Sequence, residues 1–242
     1  MDSVRQMPSP LKIIDLGRLA YRDAWAMQEK SHAEVLAGGP EVLFLVEHPP
    51  VITLGRRPES RKYLLASDEE LARAGVELVQ SDRGGDITFH GPGQLVAYPI
   101  VRLNDHQLSV GGYVHRLEAV LIATLEHFGI AGFADPKAVG VWTGDLPKQT
   151  GVREMNMDGP VPRAPEKIAA IGVRIRRGVS MHGIALNVAT DLGFFNLIVP
   201  CGLADRLVTS LQKLLAESSP SMDEVKEIFV SEFLAAFTAN RI

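Results

Sequence analysis

The sequence predicts an α+β, or mixed α/β, domain: a mixed β-sheet flanked by helices. Two observations predict it. Apolar segments of strand length come in pairs and are then followed by helical patterns, without a regular βα alternation. The 242 residues are 46% hydrophobic and 22% charged, a globular balance at a length that suits one domain. One unit over residues 1–242 is therefore expected.

The elements follow in chain order. Leu11 to Leu16 reads as a first strand. Leu19 to Leu36 reads as a helix, with Tyr21, Trp25, Val35 and Leu36 able to share a face. Glu41 to Glu47 and Val51 to Leu54 are apolar strands split by His48-Pro49-Pro50. Ser67-Asp68-Glu69-Glu70 is a capping-box pattern that opens a short helix, and Gly75 is placed to end it. Val76 to Val79 is a strand, and Leu95 to Leu103 is another. From Ser109 to Phe128, Val114, Leu117, Val120, Leu121, Leu125 and Phe128 recur at helical spacing, and Gly129 fits the position after the helix. Val139 to Trp142 is a short strand. Lys167 to Arg176 and Val179 to Val188 form a hairpin joined at Arg177-Gly178. Ser221-Met222-Asp223-Glu224 caps a last helix that runs to about Phe237. Residues 144–166, which include four prolines, are too long for an ordinary connection and read as a mobile insert or a meandering surface loop.

Bulk properties exclude several classes. The formal net charge is −4, which argues against a general nucleic-acid binder. No apolar run approaches the ~20 residues that span a bilayer. Met1 to Pro10 lacks the apolar core of a signal peptide, so a cytoplasmic location without membrane attachment is expected. A single cysteine, Cys201, allows no intrachain disulfide. No coiled-coil or repeat signal is present, so a monomer is the default expectation.

The densest signal is Arg83-Gly84-Gly85-Asp86-Ile87-Thr88-Phe89-His90-Gly91-Pro92-Gly93-Gln94. Glycine lets a backbone turn sharply and lets a ligand approach it closely. A cation, an imidazole and several polar side chains share that short stretch, which suits either a binding-site wall or a hairpin with Gly turns. Cys201, within Ile198-Val199-Pro200-Cys201-Gly202-Leu203, is a thiol held in a turn, either reactive or buried for packing. A free thiol is only a few per cent ionised at pH 7, and a nearby cation would favour the thiolate. Lowering a thiol pKa by ~1.5 units needs ~2 kcal/mol of differential stabilisation. Lys167, which opens the apolar run Lys167-Ile168-Ala169-Ala170-Ile171-Gly172, can point into a site or snorkel to water. Ala170-Ile171-Gly172 and Gly183-Ile184-Ala185 face each other across the expected hairpin, leaving room for an apolar ligand or packing tightly. His90 and His182 are possible proton carriers. Neither a Gly-x-x-x-x-Gly-Lys phosphate loop nor a zinc-spaced Cys/His set occurs, so no cofactor and no metal are expected.

These blocks together resemble the lipoyl(octanoyl) transferases. The resemblance is carried by Arg83-Gly84-Gly85 through Gln94 with Tyr98-Pro99-Ile100, by Lys167 to Arg174, by His182-Gly183-Ile184-Ala185-Leu186-Asn187, and by Ile198 to Leu203. It extends from about Leu11 to Ser210. It implies a fold similar to the catalytic domain of biotin and lipoate ligases. It also implies a reaction: an octanoyl group leaves the thioester of acyl carrier protein and passes to a lysine of a lipoyl domain, as in 2-oxoacid dehydrogenases or the glycine cleavage H protein. In that reaction Cys201 would be the nucleophile that carries the acyl group. Lys167 would stabilise its thiolate and serve as acid and base. Arg83, Gly84, Gly85, Asp86, Ile87, Thr88, Phe89 and His90 would line the acyl tunnel, with Ala170, Ile171, Gly172, Gly183, Ile184 and Ala185 as the remaining wall.

Two features depart from the family pattern. Gly178 stands where a bulkier residue is common, which implies a looser hairpin turn, and the insert at 144–166 is long. Three other readings use the same residues. An ATP-dependent lipoate or biotin ligase would not need Cys201. A binding protein without catalysis would leave Cys201 and Lys167 as packing and surface residues. A relay enzyme would move octanoyl between lipoyl-domain proteins.

Overall fold

The computed structural model describes residues 11–145, 163–199 and 207–238. In chain order the elements are β1 (Lys12–Arg18), α1 (Tyr21–Leu36), β2 (Val42–Glu47), β3 (Val51–Leu54), α2 (Asp68–Arg73), β4 (Glu77–Gln80), β5 (Ile87–His90), β6 (Gln94–Ile100) and α3 (Val110–His127). There follow β7 (Gly132–Asp135), β8 (Ala138–Thr143), β9 (Glu166–Arg176), β10 (Val179–Asn187), β11 (Leu207–Val208), α4 (Leu211–Leu215) and α5 (Met222–Thr238).

The central sheet runs β1-β2-β6-β10-β9-β8-β7, with β11 added beside β9. β1 pairs parallel to β2, and β11 parallel to β9. The pairings from β2 through β6, β10, β9 and β8 to β7 are antiparallel. The sheet is mixed, as the sequence predicts. β2 and β6 are almost continuously apolar because both of their faces are covered. Leu43, Leu45, Leu95 and Ala97 enter a core with Leu117, Leu121, Phe229 and Phe233 of α3 and α5. Val42, Phe44, Val96 and Tyr98 enter a second core with Ala24 and Val35 of α1.

Local chemistry sets the helix ends. The capping boxes at Ser67 and Ser221 both form: Glu70 N–H donates to Ser67 Oγ at 3.2 Å and Glu224 N–H to Ser221 Oγ at 3.3 Å. Each glutamate carboxylate accepts the serine N–H in return, at 2.8 and 2.7 Å. Ser109 caps α3 by accepting from Gly112 N–H at 3.0 Å. α5 seals its face of the sheet with an aromatic ladder, in which Phe233 and Phe237 stack at 4.3 Å.

Three findings differ from the sequence reading. The β9–β10 turn is tight: Arg177 and Gly178 have φ of 54° and 80°, the two left-handed positions of a short hairpin turn, and Arg176 pairs directly with Val179. The glycine-rich block is not all loop. Its Ile87–His90 portion is β5, which joins β3 and β4 in a separate three-stranded sheet. Strands β7 and β11 lie in short segments that carry no strand pattern of their own. Of the expected insert, residues 146–162 lie outside the described residues. Its base is closed by Asp145 N–H to Arg163 O at 2.9 Å and Arg163 N–H to Asp145 Oδ2 at 2.6 Å.

The small sheet is an excursion. The chain leaves the central sheet after β2, builds β3, β4 and β5, and returns as β6 beside β2. It carries its own apolar cluster, where Ile52, Phe89 and Leu71 meet Phe195 and Ile198.

Replacing Phe233, which is fully buried, with Ala should lower the unfolding free energy by about 3–5 kcal/mol. Urea titration checks this, and a loss below 1 kcal/mol would contradict the packing described.

Candidate active site

A partly open cavity lies between the small sheet and the β9–β10 hairpin. Its walls come from Gly85–Thr88 and His90 on one side and from Ala170–Gly172 and Gly183–Ala185 on the other, with Tyr21, Arg83, Tyr98 and His182 completing it. Across the hairpin Gly172 pairs with Gly183 and Ala170 with Ala185, so small residues stand opposite one another and leave the space open. Most of the expected wall residues therefore meet at one place.

Gly84 and Phe89 do not line the cavity. The β period puts Thr88 and His90 on one face of β5 and Phe89 on the other. There Phe89 stacks on Phe194 at 4.7 Å. Gly84 instead seats the block on the central sheet. Its N–H donates to Val173 O at 3.0 Å, and a Cβ at this position would stand 2.8 Å from that oxygen. Arg83 lines the cavity but is buried, and its guanidinium fastens the block. Nε donates to Thr53 Oγ1 at 2.9 Å, Nη1 to Gly84 O at 3.0 Å and Nη2 to Asp86 O at 3.3 Å.

Lys167 sits three residues before Ala170 on β9 and is only 7% exposed. The β8–β9 register runs Val141↔Ala169 and then Trp142↔Lys167, so one extra residue, Ile168, is inserted on β9. Such a bulge re-aims the side chains that follow it. Ile168 and Ala169 both enter the α3–α5 core, which returns Lys167 to the face of Ala170 and Gly172. Its Nζ donates to Val139 O at 2.9 Å and lies 4.7 Å from the centre of the Trp142 ring. Gly140, at φ 123°, makes room for it, since a Cβ there would meet Ala169 O at 2.5 Å and Lys167 Nζ at 3.4 Å. Lys167 is not among the residues lining the cavity. Cys201 lies outside the described residues, although the segment that leads to it is held: Val199 N–H donates to Tyr63 O at 2.8 Å.

Three buried histidines surround the cavity floor. His48 Nδ1 lies 2.7 Å from Leu19 O, which can only accept, so Nδ1 carries the proton and Nε2 accepts from Tyr98 Oη at 2.8 Å. His90 Nδ1 donates to Gln94 Oε1 at 2.8 Å, because the Gln94 amide nitrogen is committed to Asn187 Oδ1 at 2.8 Å. His182 Nε2 donates to Asp82 Oδ1 at 2.7 Å, and Arg174 pairs with the other carboxylate oxygen. Its Nδ1 faces Tyr21 Oη at 3.5 Å. His182 also has φ of 56°, a strained backbone for a non-glycine residue, held by its N–H donating to Gln28 Oε1 at 2.8 Å. Burial pushes all three rings down: His48 to about 4, and His90 and His182 to about 3 with nearby guanidinium groups adding to the effect. The three rings are thus polar but uncharged.

The two histidines that the sequence offers as possible proton carriers, His90 and His182, both line the cavity. His48, Tyr21, Tyr98, Asp82 and Gly140 were not singled out. Of these, Tyr98 falls inside a motif block, while the others are brought in from separate elements.

The histidines set a pH dependence. Their folded pKa values lie below the unfolded value of ~6.5, so on acidification the unfolded chain takes up protons first and stability falls. Each ring contributes up to about 1.4 kcal/mol per pH unit, beginning near pH 6.5 and ending near pH 4 to 3. Urea unfolding at pH 7.5, 6 and 5 should show decreasing stability, with a shallower fall in His48→Gln. A stability that rises on acidification would contradict the neutral state of these rings.

Known proteins match both the sequence and the fold. Residues 20–234 match the family described as the lipoyl protein ligase A/B catalytic domain. An octanoyltransferase of Nitratidesulfovibrio vulgaris (strain DP4) is 44% identical over 225 residues, covering 93% of this chain and 94% of that protein. The crystal structure of a lipoate-protein ligase A bound with ATP superposes with a TM-score of 0.70 at 16% identity, over 96% of this chain and 86% of that one. A biotin protein ligase from Aquifex aeolicus, in complex with biotin and ATP, superposes with a TM-score of 0.50 at 12% identity, over 95% of this chain and 72% of that one. The expected likeness of fold to lipoate and biotin ligases holds, and the chain belongs to the octanoyltransferases within the lipoyl protein ligase A/B catalytic-domain family.

Proposed function

We propose that this chain transfers an octanoyl group from octanoyl-acyl carrier protein to a lysine of a lipoyl domain, through an acyl thioester on Cys201. The observation that carries this reading is the cavity walled by Ala170–Gly172 and Gly183–Ala185, with the buried ammonium of Lys167 on the same strand face. Its small, mostly apolar wall suits an alkyl chain. The family supports the acyl group and the class of reaction.

The chemistry proceeds in two exchanges. The Cys201 thiolate attacks the thioester carbonyl, the bond from that carbon to the phosphopantetheine sulfur breaks, and the sulfur leaves as a thiol after taking a proton from Lys167. The acceptor lysine, entering as a neutral amine, then attacks the new thioester. An amide forms, the Cys201 sulfur departs, and Lys167 takes the proton released from nitrogen. No nucleotide is consumed, because the donor is already a thioester. Lys167 also stabilises the thiolate by its charge. The other wall residues bind and orient the chain. Lipoyl domains of 2-oxoacid dehydrogenases and the glycine cleavage H protein are the acceptors in this reading, and the chain acts as a monomer in the cytoplasm.

Two outcomes are expected. Intact-protein mass spectrometry after mixing with octanoyl-acyl carrier protein should show one octanoyl group on the native chain and none on Cys201→Ser, and an apo lipoyl domain should discharge it. Lipoyl-domain modification that requires ATP and free octanoic acid would replace this reading with a ligase. Lys167→Ala should lower kcat about 10²–10⁴-fold, the usual contribution of a positioned acid–base group. It should also shift the pH profile of Cys201 alkylation by iodoacetamide upward, because a cation that favours the thiolate is gone. An unchanged alkylation profile would remove Lys167 from the thiolate.

A further inference from the structure

The cavity accounts for the acyl chain but not for the protein that delivers it. A run of basic side chains beside the site is Arg56, Arg57, Arg61 and Lys62. They flank or lie on the 3₁₀ turn Pro58–Tyr63 after β3, with Glu59 the one carboxylate between them. All four are exposed, in a chain whose formal net charge is −4. Arg57 reaches Asp86, which lines the cavity, at 3.1 Å. Arg61 faces Asp68 at 3.6 Å and Lys62 faces Glu59 at 4.0 Å, long solvent-exposed pairs that hold their partners weakly. Leu65, beside them, is 62% exposed, an apolar side chain set at the edge of a basic surface.

This surface is joined to the segment that leads to the nucleophile. Leu65 N–H and Ala66 N–H both donate to Leu197 O, at 2.9 and 3.1 Å, and Leu64 bridges Ile198. Val199, bonded to Tyr63 O at 2.8 Å, is two residues before Cys201 in the sequence. A second basic group, Arg174, Arg176 and Arg177, lies along the β9–β10 hairpin. Arg174 there is committed to Asp82, and Arg177 stands at the hairpin turn.

We propose that Arg56, Arg61, Lys62 and Leu65 form the landing surface for the acyl carrier protein donor. This inference rests on the acyl-transfer reading above. The donor's arm is attached through a phosphodiester, so an anion stands at its root, and guanidinium and ammonium groups are the natural partners of such an anion and of an acidic surface around it. Leu65 supplies the apolar contact that charge alone lacks. The patch steers the carrier to the mouth beside Asp86, and the arm then threads toward the thiol.

The test is steady-state kinetics of two variants, Arg56→Glu/Arg61→Glu/Lys62→Glu and Leu65→Ser, with two donors: octanoyl-acyl carrier protein and S-octanoyl-pantetheine, which has neither protein nor phosphate. The triple variant should raise KM for the carrier about tenfold or more, in the range of electrostatic steering effects, and flatten its dependence on salt. Its kcat, its KM for the lipoyl domain and its use of S-octanoyl-pantetheine should stay unchanged. Leu65→Ser should raise the carrier KM alone. An unchanged carrier KM in an active triple variant overturns the proposal. So does a rise confined to the lipoyl-domain KM, or an equal loss with both donors. If the native chain acylates no acceptor from either donor, the acyl-transfer reading itself falls, and the landing surface falls with it.

Discussion

The cavity exists because two backbones meet at Gly84 and Val173. One strand belongs to the central sheet and the other chain segment leads into the small sheet, and a side chain at position 84 would hold them apart. The seam is reinforced from both sides. Arg83 ties the block to Thr53 of β3, and Arg174 of β9 pairs with Asp82 just before the block. A buried guanidinium is costly unless its donors are met, so Arg83 is better understood as the bolt of this seam than as a charge offered to a substrate. Once the seam is closed, the gap between Gly85–His90 and the hairpin is fixed, and its width follows from the paired small residues of β9 and β10.

A second line of bonds links the motif blocks. His90 donates to Gln94, Gln94 to Asn187, and Asn187 to the carbonyl of Thr209, whose own N–H donates to the Lys167 carbonyl at 2.9 Å. Blocks that are far apart in sequence are thus one network around the site. Buried polar chains of this kind specify a single arrangement when every member is satisfied. The neutral histidines fit this picture, for an unpaired imidazolium would resist burial.

How much of this was legible follows from how local each signal is. Ser67 with Glu70, and Ser221 with Glu224, announce their helices within four residues, and both boxes form. The hairpin was readable from Arg177-Gly178, although the tightness of its turn depends on two left-handed residues in succession. The small sheet was hidden because β5 is four residues long and set among glycines. The run Arg83 to His90 reads as a continuous wall, but a strand alternates, and Phe89 goes to the opposite core. The bulge at Ile168 has no sequence mark at all, since it appears only when β9 is registered against β8. His48, Tyr21 and Asp82 reach the floor from separate elements, which no spacing rule connects. The family resemblance, by contrast, was carried by whole blocks and needed none of this geometry.

The excursion that builds the small sheet has a consequence for how the protein can vary. It departs and returns at neighbouring positions of the central sheet, where Val46 of β2 pairs with Val96 of β6. The ends of the excursion are therefore fixed a few ångströms apart, whatever lies between them. Closing a longer or shorter loop across such a gap changes the entropy only slowly with length. The loops inside the excursion can therefore change length at little entropic cost, but Asp82 and Gly84 cannot, because they pair with Arg174 and Val173 on the hairpin strand that carries Lys167. Variation is thus directed to the exposed turns, such as the one that carries Arg61 and Leu65, and away from the short run that closes the cavity against the strand of the lysine.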